Sequence, residues 1–469
     1  MSQDQAKPKS DVNWKKALVA VAIAAVIGFI PPPAGLTVDT MKYIGIFAAM
    51  VVGLLIGAGP DWMVATACAL SMVALKLAPL SKVMSNYSGG TVWMLLAAMG
   101  FAGCVVKSGL MRRIAFNVLK LFPPSFGGQV LAISAACIVI TPLIPSTSAK
   151  LAIMCPLTAS IADETGIEPH SKGLTGLWFA MFNIVFTGAF AVLSGSSANF
   201  VILGVLPAEE AAKFTWTYWF QASFVWWIIF VAACIAVSIF FLRPDKPINM
   251  SKEFIQLQLA ECGPMSSAEK FCALVLVGAI TLWVTESMHG INATVVAWMA
   301  FFAMMVRGLW TKSEVGKLPW ALILFVGSML GVADHMSASG LNDWLGEVLG
   351  PVIGRFIPNS FVFVIVLVVV SWIIRLGVDL FSIIPISLAI FAPVASIMGI
   401  NLWLVVWIAF VNTQGWILPH NQIQLIQATG MMGGVVEHKD VQPLTWVYMI
   451  ICLGATLASV PLWTTMGLM

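Results

Sequence analysis

Charge is scarce in this chain. Asp, Glu, Lys and Arg make up 10% of its 469 residues, where a soluble domain carries roughly 25%. A soluble protein of this length needs polar surface for two or three domains, and here that surface is missing. The net charge of +3 is too small to call for nucleic acid as a partner. None of the eight cysteines falls in a CxxC or Cys/His cluster, so neither a disulfide framework nor a metal site of that kind is encoded. Most lie inside apolar runs (Cys68, Cys104, Cys137, Cys155, Cys234, Cys272, Cys452) and read as buried thiols that pack as small hydrophobes. HExxH, GxSxG and paired carboxylates at depth are missing too, which removes the catalytic constellations they signal. The chain reads as a non-enzyme with no bound cofactor.

What is present is hydrophobicity: 60% of the residues are apolar and the mean hydropathy is +0.95. Most of the length is apolar runs of about 17–25 residues, each able to cross a ~30 Å hydrocarbon core. Full spans are predicted over 14–32, 40–59, 61–79, 88–107, 214–242, 268–288, 292–310, 319–338 and 443–467. Amphipathic stretches lie at 109–122 and 340–357. Apolar regions over 128–162, 173–207, 360–399 and 401–429 are interrupted by polar residues. The expected fold is an all-α polytopic membrane protein of about 11 transmembrane segments. Trp216, Tyr218, Trp219, Trp310 and Trp446 flank spans, as aromatic belts would. The Lys-bearing N-terminal segment has no small-residue cleavage site, so the first run is expected to remain as a helix. Lys and Arg concentrate on one side of the predicted spans, which places the N-terminus in the cytoplasm and the C-terminus outside.

The two halves repeat a pattern. Residues 100–110 read GFAGCVVKSGL and residues 331–341 read GVADHMSASGL. Both end a span and open an amphipathic helix through Ser-Gly-Leu (Ser108-Gly109-Leu110, Ser339-Gly340-Leu341). Both lead into an interrupted, hairpin-like region whose second arm carries a proline (Pro156, Pro393). Both then reach a polar break holding an Asn (Asn199, Asn421). An odd number of crossings between them makes this an inverted-topology repeat with two re-entrant helical hairpins and two broken helices.

Four breaks concentrate the chemistry. In the first, 145–150, about 16 apolar residues precede the break and about 12 follow, arms of roughly 24 and 18 Å at the helical rise. Its tip, with Ser146, Thr147, Ser148 and Lys150, therefore lies near mid-membrane. There irregular backbone survives only against protein or a water-filled cavity. An isolated membrane Ser or Thr usually bonds back to its own helix. Three hydroxyls after a Pro and before a Lys point instead to a ligand, and an ionisable residue at that depth is a functional candidate. The second break, 194–199, offers Ser194, Gly195, Ser196, Ser197 and Asn199. Half-helix N-termini at such breaks present N–H groups and positive dipole ends to anions, and their oxygens suit Na⁺. The third and fourth are 375–385, where Arg375 and Asp379 stand i,i+4 and can pair, and 412–424, which reads NTQGWILPHNQIQ. Asp334 and His335 sit near a span end and are expected at the interface.

These residues resemble the divalent-anion/sodium symporter family, which includes sodium–dicarboxylate symporters and citrate/succinate and tartrate/succinate antiporters. The family's hairpin tips carry Ser-Asn-Thr ten residues before a Pro; Ser146-Thr147-Ser148 keeps that spacing to Pro156, with Thr147 in place of Asn. The preceding Pro145, the basic Lys150 and Leu418-Pro419-His420 resemble the antiporter branch. The second motif is degraded to Ser382-Ile383-Ile384, one residue further from Pro393. The resemblance spans residues 14–467. It implies a homodimer in the bacterial inner membrane, each protomer with a scaffold and an elevator-like transport domain. It divides the chain into tail and scaffold (1–126), transport part (127–243), cytoplasmic linker (244–266), second scaffold (267–357) and second transport part (358–469).

The sequence thus points to a secondary transporter that exchanges small anions, di- or tricarboxylates. Ser146, Thr147, Ser148, Lys150, Ser196, Ser197 and Asn199 form one half of the expected site; Ser382, Thr413, His420 and Asn421 form the other. Ser146, Ser148, Ser194, Gly195 and Asn199 are the candidate donors for Na⁺ as coupling ion. A fixed Lys150 charge repels a neighbouring Na⁺, and with the degraded second motif this favours exchange over Na⁺-coupled dicarboxylate or sulfate symport. An anion channel needs polar rows along its spans; the polar residues here cluster in paired breaks. The anion itself stays open among citrate, succinate, tartrate, sulfate and sulfonates.

Overall fold

The structure is a computed structural model that describes residues 12–248, 251–341, 344, 347–348, 357–378, 380–418 and 422–469. Helix dominates, and no strand occurs among the described residues. Helices of nine residues or more are numbered in chain order. The first half holds α1 Trp14–Phe29, α2 Val38–Leu55, α3 Asp61–Ala74, α4 Gly90–Ser108 and α5 Leu110–Leu119. It continues with α6 Phe126–Ile140, α7 Thr147–Glu164, α8 Lys172–Phe186, α9 Ser197–Val205 and α10 Trp216–Phe240. Then come α11 Lys252–Glu261, α12 Ser267–Val284, α13 Ala293–Val306 and α14 Trp320–Ala338. The chain closes with α15 Ser360–Arg375, α16 Ile383–Met398, α17 Leu402–Asn412, α18 Ile423–Met431 and α19 Leu444–Thr465. Among the described residues, seven helices are long and apolar enough to cross a membrane, and six shorter apolar ones accompany them.

Several polar residues in this apolar sequence stand where a helix must start. Asn13, Thr37, Ser125, Ser146, Ser171, Thr215 and Asn359 each accept a backbone N–H from the first turn that follows, and Ser266 with Glu269 closes a capping box on α12. A first turn has no intrahelical acceptor for these N–H groups. The Ser-Gly-Leu pair behaves alike in both halves: Gly109 and Gly340 adopt φ of 81° and 71°, a left-handed conformation that glycine adopts without strain.

The packing carries the repeat further than the sequence does. In each half three helices (α2–α4, α12–α14) precede a hairpin (α6–α7, α15–α16), a broken helix (α8/α9, α17/α18) and a long final helix (α10, α19). Contacts come in matched pairs: α3 packs on α14 as α13 packs on α4, α8 on α6 and α7 as α17 on α15 and α16, and α10 lies along α19. The second arm of each hairpin also touches the half-helix beyond the break of the other half, α7 with α18 and α16 with α9. The centre is the most buried part, where every residue of α8 and α17 but Lys172 and Leu402 is inaccessible.

The polar linker 244–266 contains a helix, α11, whose Glu261 pairs with Arg112 of α5 at 3.1 Å. One expectation needs correction. Trp219 is fully buried rather than belted at an interface, and Trp216 donates to Ser194 at 3.0 Å. Indole N–H groups here serve the broken helix, because a break releases carbonyls that lipid cannot satisfy. Trp446, by contrast, is exposed. The second amphipathic stretch, 340–357, lies largely outside the described residues. Asp334 is exposed and accepts from Asn86 at 2.7 Å.

Close approach of α14 to the chain before α4 depends on glycine. A Cβ on Gly331 would sit 1.9 Å from the Val83 carbonyl oxygen, whereas one on Gly278 of α12 meets nothing. Gly331→Ala is therefore expected to destabilise the protein by about 1–3 kcal/mol through overpacking, and Gly278→Ala to leave it unchanged or slightly firmer. Melting temperatures in one detergent, compared with wild type, check both.

Candidate substrate-binding site

The first hairpin tip and the first break are locked together by hydrogen bonds. After α6, a short 3-10 turn at 141–143 ends the first arm, and Ser146 caps α7 by accepting from the Ala149 N–H at 3.3 Å. Across the gap, α8 gives way to two 3-10 turns (Gly188–Ala191, Leu193–Gly195) before α9 begins. Ser196 caps α9. The Ser197 N–H donates to the Pro145 carbonyl at 3.0 Å. Ser194 Oγ donates to the Pro142 carbonyl at 2.8 Å. The N-termini of α7 and α9 thus stand side by side, and both have N–H groups and positive dipole ends to offer an anion.

Lys150 completes this arrangement. It sits in the first turn of α7, fully buried, and its ammonium donates to the Gly195 carbonyl at 2.8 Å. No carboxylate lies within ion-pair distance of it among the described residues. Lysine has three donors, and the Gly195 carbonyl is the one acceptor it meets among the described residues. A side chain on Gly195 is excluded, since its Cβ would lie 2.4 Å from the Ala189 carbonyl oxygen. Asn199 is also buried; its Nδ2 donates to Val192 O at 2.8 Å, while its Oδ1 has no partner among the described residues.

Six predicted residues of the first half (Ser146, Thr147, Lys150, Ser196, Ser197, Asn199), with Ser194 and Gly195, fall in this one locus. Ser148 reaches across to the second half, where its hydroxyl donates to Gln427 Oε1 of α18 at 2.7 Å. Gln427 escaped the sequence reading. The signal available was a second polar residue on the short helix after the fourth break, at a spacing that also holds Gln424.

The second half is less complete. Ser382 is buried just before α16, and its Oγ has no partner among the described residues. Thr413 bonds back to the Ala409 carbonyl at 2.9 Å, the ordinary habit of a hydroxyl in a membrane helix. Arg375 ends α15 and donates to the Val378 carbonyl; with Thr413 it lines a cavity of about 20 Å³. Asp379, His420 and Asn421 lie outside the described residues.

Freed carbonyls at both breaks are met from neighbouring helices. The Phe190 carbonyl accepts the indoles of Trp219 at 2.9 Å and Trp407 at 3.2 Å, and Ser223 donates to Ala191 O at 2.7 Å. At the fourth break Trp372 donates to Asn412 O at 2.8 Å, and Tyr448 donates to Val411 O.

Residues 11–465 match the family described as the sodium:sulfate symporter transmembrane region.

The chain belongs to the sodium:sulfate symporter family. It is 27% identical to inner membrane protein YbhI of Escherichia coli over 423 residues, covering 87% of this chain and 88% of that protein. It is 24% identical to the L-tartrate/succinate antiporter of Shigella dysenteriae over 400 residues, 78% of this chain and 80% of that one. Two solved structures share the fold at 13% identity. MtrF of Neisseria gonorrhoeae aligns with a TM-score of 0.59 over 94% of this chain and 97% of its own, and the YdaH transporter of Alcanivorax borkumensis with 0.56 over 92% and 98%. As a member of this family the chain is a multi-pass secondary transporter.

Lys150 supplies a separable test of the site. Lys150→Met removes an isolated buried charge, which favours folding, but leaves the Gly195 carbonyl without its donor, at a cost of about 1–3 kcal/mol. It is therefore expected to lower the melting temperature modestly at most and, if the tip binds the anion, to abolish any thermal shift that added dicarboxylate gives wild type. Ser148→Ala is expected to cost about 0.5–1.5 kcal/mol through its lost bond to Gln427. The effect should be non-additive with Gln427→Ala in a double-mutant cycle of melting temperatures.

Proposed function

We propose that the protein exchanges small di- and tricarboxylates across the bacterial inner membrane, with Lys150 as the fixed counter-charge of the bound anion. The observation that carries this reading is the buried Lys150 ammonium on Gly195 O, between two half-helix N-termini. An unpaired buried cation is costly to move through hydrocarbon. An anion seated on it cancels that cost, so the loaded carrier crosses and the empty one stalls, which is exchange. The relatives named for L-tartrate and succinate carry substrates of the same chemistry.

In this reading Ser146, Thr147, Ser148, Ser196, Ser197 and Asn199 surround one carboxylate, and Ser382, Thr413, His420 and Asn421 the other. The hairpins and broken helices (127–243 and 358–469) move together as an elevator against the scaffold (1–126 and 267–357), within a homodimer whose N-termini face the cytoplasm. Na⁺-coupled symport is the second reading, supported by the family's description and by the unpartnered Asn199 Oδ1. Against it, a Na⁺ on Gly195 O would sit beside the ammonium already there, at a Coulomb cost that grows in a low dielectric.

Uptake of radiolabelled succinate and citrate into proteoliposomes decides between them. The exchange reading expects uptake only into vesicles preloaded with unlabelled dicarboxylate, at equal rates in Na⁺ and choline buffers. Na⁺-dependent uptake into empty vesicles would establish symport and remove Lys150 from its proposed role.

A further inference from the structure

A cavity of about 500 Å³ adjoins the hairpin tip on one side, within the ~300–1,000 Å³ typical of small-molecule sites. The tip contributes Ser146 and Ala149 to its wall; the scaffold contributes Lys107 at the end of α4 and Trp310, Glu314 and Lys317 from the segment between α13 and α14. Lys107 donates to Glu314 Oε1 at 2.9 Å and stays half-exposed, so two of its three donors remain available. The other oxygen of Glu314 accepts from the Thr311 N–H and, at 2.9 Å, from the Thr311 hydroxyl. These partners, Lys107 first, hold the Glu314 carboxyl down to about 2, so it is ionised at any pH used to assay transport. Lys317 is exposed and forms no ion pair among the described residues. The rim therefore carries one net positive charge beside the tip that caps α7.

We propose that this cavity is a second anion station, in which Lys107 and Lys317 of the scaffold receive a small di- or tricarboxylate as the hairpin tip releases it. The inference rests on the reading of the tip as the substrate site. Because Ser146 and both lysines line one cavity, release in this proposal proceeds by handing over charge, one carboxylate still at the tip while the other meets the lysines. Glu314 keeps the station weak: it shares Lys107 and repels the anion, which favours onward escape. A pair that only tied the loop to α4 would be worth little at the surface and would treat the two faces of the membrane alike.

Sidedness supplies the test. Full-length protein would be reconstituted in one orientation, and succinate KM measured separately from the Lys107 face and from the opposite face. Lys107→Gln and Lys317→Gln are each expected to raise KM from the Lys107 face about 3- to 10-fold, with KM from the far face unchanged. Added salt should shrink that difference. Lys107→Arg should keep the low KM, and Glu314→Gln should lower it further. Lys317 has no ion pair to lose, so a KM rise there cannot come from a broken staple. Wild type that exchanges succinate while Lys317→Gln and Lys107→Gln keep both KM values, or raise both equally, would overturn the station and leave the tip site standing. Wild type that exchanges no di- or tricarboxylate would overturn the reading beneath it.

Discussion

A helix broken inside a membrane releases carbonyls and N–H groups that lipid cannot satisfy, and most of this structure follows from where those groups find partners. The carbonyls of 190 and 191 go to Trp219, Trp407 and Ser223; those of 411 and 412 go to Tyr448 and Trp372. Each donor belongs to a helix outside the break it serves, so each break fastens neighbouring helices to itself. Aromatic rings continue the fastening. Trp403 stacks on Trp407 with centroids 5.2 Å apart, and Trp226 meets Trp407 edge-on at 5.1 Å. Such contacts favour a body that moves as a unit over one that flexes, because packed aromatic cores do not deform continuously.

One freed carbonyl is treated differently. Gly195 O receives the Lys150 Nζ–H, a donor that, when protonated, brings charge into the protein interior. A serine or an indole could have satisfied that oxygen at far lower cost. In the proposed reading, structural satisfaction and anion recognition meet in one bond: the carbonyl orients the ammonium, and its remaining donors serve the anion. The adjoining N-termini of α7 and α9 add positive potential without a further buried side chain. On the scaffold side Lys107 is shared with Glu314, a softer version of the same device in a wetter setting.

Much of the fold was legible because membrane sequences are constrained. Span length, the Ser-Gly-Leu corners and the prolines of the second hairpin arms located the repeat before any contact was known. That the first hairpin tip and the first break carry clustered polar residues was legible for the same reason: hydroxyls beside Lys150 in an apolar run have few structural explanations. The failures have physical causes. Trp216 and Trp219 were read from their position near a span end, but an indole can turn inward, and a neighbouring break gave it a carbonyl to bond. Gln427 depends on which half-helix meets the hairpin across the repeat axis, a tertiary fact that no local pattern encodes.

The central claim is that the Lys150 charge decides whether the empty carrier can cross. Single-molecule distances between a label on the scaffold and one on the hairpin domain, in liposomes without substrate, test it most directly. The account predicts that unliganded wild type holds one distance, that dicarboxylate sets it exchanging between two, and that unliganded Lys150→Met exchanges freely without any anion. Wild type that switches between both distances as readily empty as loaded would contradict it.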